Sequence, residues 1–209
     1  VLSGMGDNGM MAYIYDSSLS LNKEIAVDEL LQGDFVVSET GGVTASTDGK
    51  KLAFAAMGGL YLYDLESGSL TTLLNVAQNA GTASIGISML NGAAFAQDNS
   101  QIVFFGSGNS IPAVDGEEGF SIHGSIAVDG SGLKLTKPSG YEMEEMQSSV
   151  SRLFFPQTFT QANGTLLWID RATGSANTLS FSASGEGKDG VYGSEQGDYV
   201  ATAVLGSNL

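Results

Sequence analysis

An apolar run rich in Phe, Val and Ala returns along this chain at a nearly fixed interval, and that recurrence constrains the fold more than any other feature. The run KLAFAAM from Lys51 is echoed by QIVFFGS from Gln101, SRLFFPQT from Ser151 and DYVATAV from Asp198, so that Phe54, Phe104, Phe155 and Thr202 stand 50, 51 and 47 residues apart. A second run, ending in aspartate, keeps the same order: AYIYD to Asp16, LYLYD to Asp64, SIAVD to Asp129 and LLWID to Asp170. Its spacings are 48, 65 and 41, and the excess in the middle one falls in an insertion across residues 106–124. After each aspartate comes a polar turn, then a run that mixes polar and apolar residues, as in LSLNKEI, SLTTLL, LKLTKP and ANTLSF. Short β-branched and aromatic runs between Gly, Ser, Asn and Asp clusters mark strands, whereas a helix needs apolar residues three and four apart. The chain is therefore expected to be all-β, in four units of about 50 residues with four strands each. Helical turns have two candidate places, residues 23–31 and 141–149, and either also reads as strand or loop.

The best preserved unit is STDGKKLAFAAMGGLYLYDLESGSLTTLL, residues 46–74. It divides into strands at 51–57, 60–64 and 69–74, with Gly58-Gly59 as a hairpin turn and a shorter strand at 42–46. Four short antiparallel strands repeated every 40–50 residues or so are the mark of a β-propeller blade, whose sheet buries both faces against its neighbours. Asp16, Asp64, Asp129 and Asp170, at the strand ends, are placed to cap the following turn by accepting backbone N–H bonds.

The same unit resembles the TolB-type propeller repeat, in which Ser-x-Asp-Gly-Lys precedes an apolar strand, a second strand ends in Asp, and Thr/Ser-Gly leads into the last. The other units are worn copies: AQDNSQIVFF keeps Asp98 but has Asn99 in the glycine's place, SEQGDYVATA keeps Gly197 but has Gln196 for the aspartate, and QSSVSRLFF keeps neither. Residues 1–209 read as one propeller domain or segment of about four blades, with breaks near 33–42, 75–91, 140–147 and 185–190. VLSGMGDNG at the start and VLGSNL at the end read as the same phase of the repeat, so the chain is expected to be a closed four-bladed ring or part of a larger propeller. The resemblance favours the larger parent, because TolB-type propellers have six or more blades.

Composition narrows the function. Eight Lys plus Arg against 23 Asp plus Glu give a formal charge of -15, which repels phosphate backbones and disfavours nucleic-acid partners. With no cysteine there is no disulfide, thiolate nucleophile or Cys-based zinc site, and the fold needs no staple in either a reducing or an oxidising compartment. No apolar run approaches the roughly 20 residues that span a bilayer. The chain opens at Val1 without a basic-then-apolar leader, so a leader or upstream region is expected to precede it.

In a propeller, first-to-second and third-to-fourth strand turns share one face, and these are short here. The opposite face receives the longer loops, at 33–42, 75–91, 106–124, 140–147 and 185–190. Binding usually resides on elaborated loops of a rigid scaffold. The insertion carries Asp115, Glu117, Glu118 and the only histidine, His123, and the neighbouring loop carries Glu142, Glu144 and Glu145. Oxygen ligands at this density make Asp115, Glu117 and Glu118 the candidates for calcium, although no Asp-x-Asp-x-Asp-Gly loop is present. His123, Glu142, Glu144 and Glu145 are the candidates for partner contact. No other cofactor is indicated.

Catalytic patterns fail on context. GEGKDG from Gly185 fits G-x-G-x-x-G but links two strands and places Glu186 and Asp189 where a pyrophosphate would lie. Nucleophile-elbow and phosphate-loop patterns are missing, Asn163-Gly164 reads as a hairpin turn, and Trp168 reads as core. The leading expectation is a non-catalytic propeller that binds a protein or glycan through an acidic loop face in a periplasmic, cell-surface or secreted setting. Two others stay open: the propeller portion of a larger peptidase- or lyase-type enzyme whose catalytic residues lie outside this segment or at the central channel, and a subunit of a surface assembly or filament.

Overall fold

A computed structural model describes residues 2–6, 9–16, 18–32, 34, 42–78, 80–116, 119–137, 147–148, 152–156, 163–170, 176–182, 188–193 and 200–204, with side chains described between residues 9 and 137 and at Trp168, Asp170 and Asn177. Its strands form five antiparallel sheets, each built from strands consecutive in the chain. The first holds β1 (Leu2–Gly6), β2 (Gly9–Tyr15) and β3 (Leu21–Ala26). The second holds β4 (Val43–Ala45), β5 (Lys51–Ala56), β6 (Gly59–Asp64) and β7 (Leu70–Asn75). The third holds β8 (Ile85–Phe95), β9 (Gln101–Ser110), β10 (Phe120–Ala127) and β11 (Lys134–Thr136). The fourth holds β12 (Gln147–Ser148), β13 (Arg152–Pro156), β14 (Asn163–Asp170) and β15 (Ala176–Ser182). The fifth pairs β16 (Lys188–Gly193) with β17 (Val200–Val204) and lies beside β12 and β13.

Three of these sheets have the four strands that the repeat predicts. The first sheet matches strands two to four of that pattern, its β2–β3 turn beginning at Asp16 as the β6–β7 turn begins at Asp64. The fifth matches strands one and two.

The second sheet shows why the pattern needs neighbours. Along β5 the side chains alternate between two cores: Leu52, Phe54 and Ala56 pack on Met10, Ala12, Ile25, Val27 and Leu31 of the first sheet's side. Ala53 and Ala55, with Leu60 and Leu62 of β6, pack on Leu90, Phe95, Ile102, Phe104, Ile122 and Ile126 of the third sheet. Period-two alternation sends successive residues to opposite faces, and here both faces are dry. Size is matched too, since the small Ala53 and Ala55 share the core that Phe95 and Phe104 fill. Burying each of Phe54 and Phe104, both 0% exposed, contributes roughly 1.5–3 kcal/mol.

Several sequence expectations are corrected or resolved. The two-residue hairpin turn of the second sheet is Met57-Gly58, because Ala56 and Gly59 already pair. Residues 23–31 are strand as far as Ala26, followed by one helical turn, α1 (Val27–Leu30). The span 75–91 is not a loop to its end: after a short 3-10 turn at Val76–Gln78, β8 begins at Ile85. The insertion 106–124 is mostly strand, with β9 running to Ser110 and β10 starting at Phe120. Of the helical candidate at 141–149, residues 147 and 148 are strand and the rest lies outside the described residues.

Candidate functional site

Antiparallel pairing puts the turns of each sheet at two opposite ends. At one end lie the β4–β5, β6–β7, β8–β9, β10–β11 and β2–β3 turns, and each is organised by an aspartate. Asp16 Oδ1 accepts from the amides of Ser18 and Ser20 and from the Ser18 hydroxyl. Asp64 Oδ1 accepts from the amides of Glu66 and Ser67 and the Ser67 hydroxyl. Asp98 does the same with Ser100, Asp129 with Ser131, and Asp48 with Ser46 Oγ and the Lys50 amide. These serine and backbone hydrogen bonds favour the ionised form and hold all five carboxyls below their ordinary value of 3.8. The caps expected at Asp16, Asp64 and Asp129 are thus present, while the turn after Asp170 lies outside the described residues.

Neighbouring turns at this end are tied together. The Thr47 amide donates to Asn99 Oδ1 at 2.8 Å, Asn99 Nδ2 donates to Thr47 Oγ1 at 2.8 Å, and Thr47 Oγ1 donates to the Gln97 carbonyl at 3.3 Å. Asn99 adopts φ 59° where the second unit has Gly49 at φ 69°, so the substitution noticed in the sequence keeps the left-handed backbone and adds a side chain that reaches across. Lys23 of β3 joins the first and second sheets: Nζ donates to the Leu65 carbonyl and Tyr63 hydroxyl and sits 5.2 Å from the Tyr63 ring centroid.

The opposite end is where the sheets differ. In the second sheet it is the bare Met57-Gly58 turn, whose Gly58 amide donates to both Asp34 oxygens at 2.8 and 3.0 Å. Tyr61 donates its hydroxyl to Asp34 Oδ2 at 2.7 Å, and burial together with that carboxylate pushes the Tyr61 pKa up to about 12. In the third sheet, β9 continues four residues past Gly106, the counterpart of Ala56, as Ser107–Ser110. At about 3.3 Å per residue this makes an overhang of about 13 Å.

Three strands form that arm, with Ile85 paired to Ser110, Gly86 to Asn109 and Phe120 to Gly108. Its base is braced. The Ile111 amide donates to the Ser84 carbonyl and the Ile87 amide to that of Ala80, at 2.9 and 2.8 Å. Lys137 Nζ lies 3.7 Å from the Phe120 ring centroid. The tip carries Ile111, Pro112, Ala113, Val114 and Asp115, all exposed.

The candidate site residues are only partly brought together. Asp115 is at the tip, whereas Glu117, Glu118, Glu142, Glu144 and Glu145 lie outside the described residues. His123 is not on a loop. It sits within β10, opposite Phe105 and Thr136, and is 6% exposed, so it offers nothing to a partner at the surface. Its Nδ1 has no hydrogen-bond partner, and burial lowers its pKa. Among the described residues, no group of three or more His, Cys, Asp or Glu stands close enough to hold a metal ion. The sequence missed the Thr47–Asn99 tie and the Asp34–Tyr61 contact, because both join residues remote in the chain.

No protein-family model matches the chain, and no curated protein matches it. Solved structures do. TolB from Acinetobacter baumannii aligns over 95% of this chain and 44% of its own, with TM-score 0.54 and 15% identity. A chain of the nidogen/laminin complex aligns over 88% of this chain and 62% of its own, with TM-score 0.51 and 10% identity. The TolB structure from Agrobacterium tumefaciens gives 70% and 52%, with TM-score 0.42 and 18% identity. The chain thus spans about half the length of the TolB structures it matches. Sheet order, two-faced burial and the alignments with TM-scores above 0.5 define the class: the chain has a β-propeller fold of the kind seen in TolB. Among the described residues, no helix is long and apolar enough to cross a membrane.

Proposed function

We propose that this chain is a non-catalytic binding module of a β-propeller that works outside the cytoplasm and presents the acidic end of its third sheet to a protein or glycan partner. The observation that carries the reading is the contrast between equivalent hairpins: the second sheet stops at a two-residue turn, whereas the third extends a braced arm ending at Asp115. A rigid scaffold with an elongated hairpin confines the ordering cost of binding to few residues. Glu117 and Glu118, which follow Gly116 in sequence, add to the negative charge of the insertion. A chain of the nidogen/laminin complex has a related fold, which supports a protein partner by analogy alone. The extracytoplasmic setting follows the resemblance to the TolB-type repeat.

The test is to replace residues 107–121 with the Met57-Gly58 turn and to compare parent and trimmed chains on a glycan array and an immobilised extracellular-protein panel, after melting curves confirm the fold. Loss of the strongest interaction in the trimmed chain is expected. Identical profiles would remove the role given to this end of the molecule.

A further inference from the structure

Resting on that reading, we infer that the arm's tip is an apolar anchor, and that its partner is a protein with an apolar cleft edged by Lys or Arg. Single exposed apolar side chains are ordinary on protein surfaces and need no explanation. Here Ile111, Pro112, Ala113 and Val114 are consecutive and exposed, Ile111 by 39% and Val114 by 59%, at the point farthest along the overhang. A solvated loop would be expected to place polar residues there, as the turns at the other end do with Asp and Ser. Met57, 51% exposed, lies on the corresponding turn of the second sheet and adds a second apolar contact at the same end.

The arm holds the start of this tip in place. Ile111 is pinned by its amide to the Ser84 carbonyl, and its Cδ1 lies 3.3 Å from the place a Cβ on Gly86 would take. A preordered projection loses little freedom on docking, which suits insertion into a cleft. Charge specifies the rim of that cleft. Asp115 follows Val114 directly, Glu117 and Glu118 follow Gly116 in sequence, and the chain as a whole carries -15, so an acidic surface is repelled and a basic one attracted. A glycan offers neither the apolar depth nor the cationic edge, which is why the tip favours protein over sugar.

The experiment places the photo-crosslinking residue p-benzoylphenylalanine at Val114 in the full-length protein in its native cell, with a control at the exposed Thr72 of β7. One dominant protein adduct at position 114 and none at 72 is expected, joined through an apolar segment flanked by Lys or Arg. The partner, purified, should bind the Ala113→Ser/Val114→Ser double variant at least tenfold more weakly than the parent, and binding should weaken as salt is raised. Equal adducts at both positions, an adduct to a second copy of this chain, or unchanged affinity of the double variant would overturn the anchor. The triple variant Asp115→Asn/Glu117→Gln/Glu118→Gln separates the two readings. If it loses affinity while the double variant keeps it, the acidic end binds without an apolar anchor; if neither variant nor the trimmed chain loses affinity, both readings fail.

Discussion

Thr47 and Asn99 grip each other across the boundary between the second and third sheets, each donating one hydrogen bond of 2.8 Å to the other. They occupy corresponding turns of successive units. A contact between turns 52 residues apart therefore adds a polar tie between two sheets that also pack through a shared apolar core.

Two substitutions separate the tie from the backbone conformation. Asn99→Ala removes both hydrogen bonds and leaves a Cβ residue at φ 59°, and is expected to destabilise by about 2 kcal/mol. Asn99→Gly loses the same bonds but relieves the left-handed backbone, so it should stay within about 1 kcal/mol of the parent. Urea unfolding curves measure the difference, and equal losses would show that the tie rather than the dihedral dominates.

The five turn aspartates give acid sensitivity of known sign. Their folded pKa values are depressed, so the stability they contribute is complete above the ordinary value of 3.8 and is lost as pH falls through the lowered values. An Asp64→Asn/Asp129→Asn variant should melt lower than the parent at neutral pH and should lose less on moving to pH 2. Melting temperatures recorded by circular dichroism across that range test it.

His123 acts in a higher window. Burial depresses its pKa below 6.5, so the neutral ring is the folded form, and stability declines as pH drops below 6.5 because the unfolded chain takes up the proton first. Its Nδ1 is unpaired, and replacing an unsatisfied buried polar group by an apolar one of similar shape is close to neutral. His123→Leu is therefore expected to match the parent at pH 8 and to exceed it at pH 5 in denaturant midpoint.

Tyr61 provides a spectroscopic check on the Asp34 contact. The phenol should ionise near 12, and Asp34→Asn should bring it back toward 10, as read by absorbance at alkaline pH in the folded protein. Because the folded value is raised, its contribution to stability is intact below 10 and disappears as pH climbs to about 12.

In the core, Phe104→Ala should cost about 3–5 kcal/mol, since the ring is fully buried between the second and third sheets. Gly124→Ala is also expected to destabilise, because an added Cβ would lie 2.6 Å from both the Lys134 carbonyl oxygen and the Phe104 ring, and 2.8 Å from Leu135. Chemical denaturation of both variants tests the packing.

What could be read from the sequence was what is local. Asp16, Asp64 and Asp129 cap turns whose donors lie within four residues, so the pattern of Asp followed by Ser was sufficient. Lys51–Ala56 and Gly59–Asp64 were legible because each is a short apolar run bounded by glycine- and aspartate-rich turns. β8 was not, since register shifts between Ile87 and Met89 and between Leu90 and Gly92 break the period of two and make its first half look like loop. The insertion misled for a different reason. Gly106, Gly108 and Gly124 read as turn residues, yet they are strand positions where a Cβ would strike Met89, Ile122 or Phe104. The alternation of Ile122, Gly124 and Ile126 against Ser121, His123 and Ser125 is the signal that would have placed His123 inside a strand.

Because serines fix the aspartates of one set of turns in their ionised form, that rim is an anionic collar which mild acidification does not discharge. Copies of the molecule meeting collar to collar repel one another even where unanchored carboxylates have begun to take up protons.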